Sequence, residues 1–224
     1  MSKSKSISVV MMGGTGAVGG QAIQSLLPIS ELKTLTLLGR RPVAVISDKR
    51  VKQHKIDIHE PSSYAEIAKG HSTAICTLGV GEPSKISKEA FLKIDKIAVI
   101  NFAKACKEAG IEHFELLASV GISAKSSSFY LKTKGELVEE LKALNFKRLS
   151  IFLPSMILTP TNRYGFTQAL ALAVWPILDK VFIGTAKKYK GIKVSELGKA
   201  IAVNLFVDNI GYEELTWEDF QKLN

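Results

Sequence analysis

Tyr130 and Lys134, in the stretch FYLKTKGE, stand four residues apart. On a helix that spacing places both side chains on one face. An ammonium beside a phenol favours the phenolate and brings a tyrosine toward acid–base work near neutral pH. Spacing alone is weak support. The chain has 5 Tyr, and Lys fills about a ninth of it, so chance supplies one Tyr-x-x-x-Lys in roughly every two such chains. A second pair, Tyr189 and Lys193 in YKGIK, is present. Residues 129–144 read as helix, so Tyr130 and Lys134 share a face. Gly191 sits in an irregular stretch, where Tyr189 and Lys193 need not.

MMGGTGAVGG carries Gly13, Gly14, Gly16, Gly19 and Gly20, and the first, third and fourth form G-x-x-G-x-x-G. It follows an apolar run, ISVVMM, and opens a helical pattern, AVGGQAIQSLL, that stops at Pro28. A strand running through a glycine turn into a helix start presents free N–H groups and a positive dipole end, which suits a pyrophosphate. Gly13, Thr15, Gly16, Ala17, Val18 and Gly19 are therefore expected to hold a dinucleotide. A phosphate loop of the Walker type is excluded, because no Lys-Ser/Thr closes the motif. The second strand ends LLGRRP, and no acid follows it. Arg40 and Arg41 favour a ribose 2′-phosphate through fork-shaped, charge-assisted bonds, so NADP(H) rather than NAD is expected.

These residues need elements to place them. Apolar runs at TLTLLG, QHKIDI, STAICTLG, HFELLAS and KRLSIFLPS alternate with helical stretches at 61–70, 87–109 and 129–144. Strands that are apolar on both faces, alternating with helices, predict a doubly wound parallel sheet, an α/β Rossmann-like fold of six or seven strands. One domain spanning 1–224 is expected. Its small C-terminal segment, from about 155, would fold over the substrate side. Helices are expected near Thr167–Leu178 and from Ser195, as a possible N-cap, to Phe206.

Composition narrows the functional classes. The chain has 224 residues, 46% hydrophobic and 23% charged, which is ordinary for a globular protein. Cys76 and Cys106 lie in apolar patterns and read as buried thiols. Net charge is +9, but the lysines are scattered without interleaved aromatics, which speaks for a solvated surface over a nucleic-acid groove. The run Ile7 to Met12 is too short for a signal peptide, and ALALAVWPIL at 169–178 is too short for a membrane span. A cytoplasmic location, without membrane attachment and as monomer or homodimer, is expected. His54, His59, His71 and His113 show no metal-ligand spacing, so no metal site is expected.

G-x-x-G-x-x-G, Arg-Arg after strand two, TLG after strand four and Tyr-x-x-x-Lys together resemble the short-chain dehydrogenases/reductases. YLKTKGELVEEL, LLGRRP and HFELLAS look most like the atypical subgroup of the Tat-interacting-protein oxidoreductase. The resemblance covers about residues 7 to 165. It implies NADP across the carboxyl ends of the strands. Asp57 and Ile58 match positions near adenine, and Leu78 and Gly79 match the segment under the nicotinamide-side ribose. Ser119 matches a serine that holds a substrate carbonyl, and it lies just upstream of Tyr130, as no such serine does for Tyr189. Lys134 would bind ribose as well as tune Tyr130. Pro154, Ser155 and Met156 match the loop near the nicotinamide. The sequence departs from the pattern at Ala118, at Leu153 and at Asp95, which lies about where extended members carry an Asn. The resemblance implies an NADPH-dependent reductase acting on a small carbonyl substrate of unread identity. A non-catalytic NADP(H)-binding regulator is the alternative.

Overall fold

The structure is a computed structural model and describes residues 6–43, 46–160 and 181–224. The apolar runs form the strands β1 (Ile7–Met12), β2 (Leu32–Gly39), β3 (Val51–Lys55), β4 (Thr73–Cys76), β5 (His113–Leu117) and β6 (Arg148–Phe152). They alternate with α1 (Ala17–Leu26), α2 (Ala65–Ala68), α3 (Lys88–Leu92), α4 (Val99–Glu108) and α5 (Phe129–Ala143). Two short strands follow, β7 (Ile157–Leu158) and β8 (Ile192–Lys193), then α6 (Val194–Asn204), β9 (Gly211–Leu215) and α7 (Trp217–Lys222).

The main sheet has 7 strands in the order β3-β2-β1-β4-β5-β6-β9, every neighbouring pair parallel. This is the Rossmann-like α/β architecture. The strand order reverses between β1 and β4, and ligands of such sheets sit at the carboxyl ends of those two strands. Alternate residues of β1 serve opposite faces. Val10 and Met12 join Ala74, Cys76, Phe102, Phe114, Leu137 and Leu141 on one side. Val9 and Met11 join Ala22, Ile23, Leu197 and Ile201 on the other. Both faces are thus covered, as the unbroken apolar runs require.

Four local readings change. β3 ends at Lys55, so Ile56, Asp57 and Ile58 belong to the following loop. The helix read at 87–109 is interrupted by a π-helical segment, Lys93–Ala98. Lys193 occupies the N-cap position of α6 without a capping side-chain bond, and Ser195 lies inside the helix. The C-terminal part is more than a cover: β9 extends the main sheet and α6 packs along α1, while β7 and β8 form a separate parallel pair. The helix read at Thr167–Leu178, and the apolar stretch within it, lie outside the described residues.

Candidate functional site

The glycine turn sits where the sheet order reverses. Gly13 has φ +99° and leaves β1 beside the end of β4. A Cβ on Gly13 would lie 2.5 Å from the Thr77 carbonyl carbon. A Cβ on Gly19 would strike the Gly13 carbonyl oxygen and come within 2.7 Å of Thr77 Oγ1. Thr77 completes the knot: its N–H donates to the Met12 carbonyl at 2.9 Å and its hydroxyl to the Gly13 carbonyl at 3.1 Å. These two glycines therefore close α1 against the ends of β1 and β4. Gly16 is the N-cap of α1 and offers no capping side chain. The first-turn N–H groups of Ala17, Val18 and Gly19 have no partner within the helix.

A cavity of about 570 Å³ opens over this turn, lined by Gly13, Gly14 and Thr15 on one side and Arg40, Arg41 and Lys55 on the other. Ile58 and Leu78 also line it. Arg40 and Arg41 are exposed at the end of β2. Gln53 on β3 accepts from the Val43 N–H at 2.8 Å and so fixes the arginine loop to the sheet edge. Gln53 and Lys55 were not singled out in the sequence, and His54 was weighed there only as a metal ligand; the parallel register of β3 with β2, which sets Lys55 beside Gly39, brings them here. Asp57 is placed otherwise. Its carboxylate accepts from the His59 N–H at 2.9 Å and closes a turn, while Ile58 faces the cavity.

The second half of the site lies across β4. Ser128 caps α5 by accepting from the Leu131 N–H. Tyr130, the second residue of α5, is half-buried against Phe91, with ring centroids 5.6 Å apart. Lys134 is only 3% exposed. Its ammonium contacts Asp95 Oδ1 at 2.8 Å, and Asp95 Oδ2 accepts the Val80 N–H at 2.9 Å. Gly79 packs against this pair, where a Cβ would lie 3.1 Å from Asp95 Oδ1. Cys76, at the end of β4, is buried, and burial pushes its thiol up to about 12, so it carries no charge here. Ser119 follows β5, and its hydroxyl makes one long bond, 3.5 Å, to the Val120 carbonyl. The Val120 N–H donates to the Pro154 carbonyl at 3.0 Å, which ties the Ser119 loop to the loop of Pro154, Ser155 and Met156. The Met156 carbonyl accepts from Ile192 N–H at 2.9 Å, fastening β8 to the same loop.

The competing pair is separated. Tyr189 ends a 3₁₀ turn and packs on Phe182, whereas Lys193 lies in β8 and pairs with Glu196 at 3.2 Å. They share no helical face.

Donors at a helix start, a glycine cradle at the reversal of a parallel sheet and a basic β2 end fit a dinucleotide. That defines a Rossmann-type nucleotide-binding protein. The family described as NAD(P)H-binding matches residues 13–149, and the chain belongs to it. It is 32% identical to Protein HTATIP2 of Rattus norvegicus over 158 residues, 70% of this chain and 65% of that protein. It thus spans just under two thirds of that relative's length. It is also 31% identical to Protein FMP52, mitochondrial, of Debaryomyces hansenii over 89% of this chain and 87% of that one. Among solved structures it is similar to MoeE5 in complex with UDP-glucuronic acid and NAD, with TM-score 0.70 and 17% identity over 93% of this chain and 75% of that one. Resemblance to the atypical short-chain dehydrogenases/reductases therefore holds. The cytoplasmic expectation does not, since FMP52 relatives are named mitochondrial. It rested on the lack of a secretory run, which carries no information about other compartments.

Proposed function

We propose that the chain is an NADPH-dependent reductase of the atypical short-chain type, acting on the carbonyl group of a small molecule. The observation that carries this reading is the buried Lys134 ammonium, one helical turn from Tyr130 at the carboxyl end of β4. Gly13, Thr15, Gly16, Ala17, Val18 and Gly19 would hold the pyrophosphate, and Leu78, Gly79 and Lys134 the nicotinamide-side ribose. The bound nicotinamide would supply the reducing equivalent. Ser119 would hold the carbonyl oxygen and Tyr130 would deliver its proton. Arg40 and Arg41 would take the 2′-phosphate, with Lys55 adding a third positive charge. The names of the fungal relatives support a mitochondrial location, which fractionation of the native host would check.

The test is steady-state NADPH oxidation with a carbonyl panel. Tyr130→Phe is expected to lose about 10²- to 10⁴-fold in kcat while still binding NADPH. Wild-type turnover in that variant would remove Tyr130 from the mechanism. The alternative, an NADP(H)-binding regulator without turnover, is favoured by Ser119, whose hydroxyl is held by only one long bond. Tight NADPH binding with no turnover across the panel would select it.

A further inference from the structure

We propose that Asp95 is the positioning residue for Lys134, holding its ammonium beside the loop after β4. The inference rests on the reductase reading for its purpose but on the geometry for its existence. Asp95 and Lys134 are 2% and 3% exposed. Charges this far from water persist only when paired and hydrogen-bonded. Asp95 meets both needs, since one oxygen faces the Lys134 ammonium and the other the Val80 N–H. One carboxylate thereby joins α5 to the segment Gly79–Val80. Glycine at 79 permits this approach, because a side chain there would crowd Asp95 Oδ1.

The π segment explains how Asp95 arrives there. A π turn holds more residues than an α turn and re-aims its side chains. Asp95 turns inward to Lys134, and the adjacent Lys96 reaches Glu136 at 2.8 Å and Glu140 at 3.0 Å. Both neighbours therefore grip the same helix, α5. Phe91, just before the π segment, packs against both Phe129 and Tyr130. Among the described residues, the titratable groups facing the pair are few. Cys76 stays neutral, Tyr130 lies one turn away, and Lys96, Glu136 and Glu140 satisfy one another nearer the surface.

Removing the carboxylate charge leaves the buried Lys134 ammonium with no counter-charge and no tie to the segment Gly79–Val80. Its support for a charge at Tyr130 weakens with that loss of position. Asp95→Asn preserves size and an acceptor for Val80 but removes the charge.

The test follows the lysine side-chain ammonium NMR signals of the labelled protein without cofactor, with Lys134 assigned by Lys134→Met. Wild type is expected to show Lys134 as a separate, slowly exchanging signal, and Asp95→Asn to lose it. NADPH turnover of the variant should fall at least about tenfold in kcat. A wild-type Lys134 signal in Asp95→Asn overturns the inference and leaves the reductase reading intact. If wild type turns over no carbonyl, the reductase reading fails and the ammonium signal alone decides this inference. Should Asp95→Asn not fold, Asp95→Glu keeps the charge on a longer stem. The Lys134 signal should then persist, with kcat at least about tenfold lower; a wild-type kcat would overturn the inference.

Discussion

Gly13 and Gly19 are small because of each other and of Thr77. Gly13 combines positive φ with a hypothetical Cβ against backbone, which nothing nearby can yield to. Gly13→Ala is expected to cost at least about 1–3 kcal/mol and to abolish NADPH binding. Thermal melts and a fluorescence titration would check both. Asp95 gives a second expectation at this scale. Asp95→Ala strands a buried ammonium and should cost about 3–5 kcal/mol in urea unfolding, whereas Asp95→Leu with Lys134→Met should recover most of it. Tyr130, Lys134 and the glycines stood out in the sequence because each belongs to a pattern of fixed spacing. Asp95 showed there only as a departure from a family position. Its partner lies on another helix, and no local spacing links the two.

Helix α5 is the element on which the site depends. It carries Tyr130 and Lys134, and Gly135 lets it lie directly on the backbone of Ser123 and Ala124. α6 uses Gly198 in the same way against α1, where a Cβ would lie 2.7 Å from the Ala22 nitrogen. Gly198→Ala is therefore expected to destabilise by about 1–3 kcal/mol, read as a lower Tm, despite the better helix propensity of alanine. The helix at 87–109 was readable as one element because its apolar positions recur at helical spacing. Its π turn was not, because a six-residue change of winding barely alters that recurrence. The end of β3 moved for a related reason: Ile56 and Ile58 are buried by the loop's own packing, which alternation in sequence cannot tell from a strand.

Across the whole molecule the sheet holds a polar ladder that the apolar runs concealed. Glu115, Ser150 and Glu213 stand opposite one another on β5, β6 and β9. Asn204, at the end of α6, donates to Glu115 Oε1 at 2.7 Å, and Arg148 binds both Asn204 and Glu213. Burial pushes the Glu115 carboxyl well above the carboxylate range, against the lowering effects of Asn204 and Arg148. Glu213 is held below that range: burial raises it, but the Ser150 bond, the Arg148 charge and bond, and the Asn209 bond outweigh this. Below the unfolded value of about 4.3, Glu115 is protonated in both states. As pH rises beyond it, the unfolded chain releases the proton and the folded one keeps it, so this group's contribution to stability falls until the folded carboxyl ionises. Glu115→Gln should thus gain in Tm over wild type at pH 7 to 8 and show no gain at pH 4, measured by melts across pH.

The alternation of strands and helices, the glycine turn at the first strand end and the shared face of Tyr130 and Lys134 follow from the order of residues alone. Backbone sterics and side-chain periodicity act over a few residues, so a few residues suffice to read them. The pairing of Asp95 with Lys134, the meeting of Lys55 and Gln53 with the arginine loop, and the burial of Glu115 beside the end of α6 come from the folded chain. Each of these depends on strand register and helix packing between distant segments, where the cost of burying a charge or a polar group is met by a partner that the local sequence does not contain.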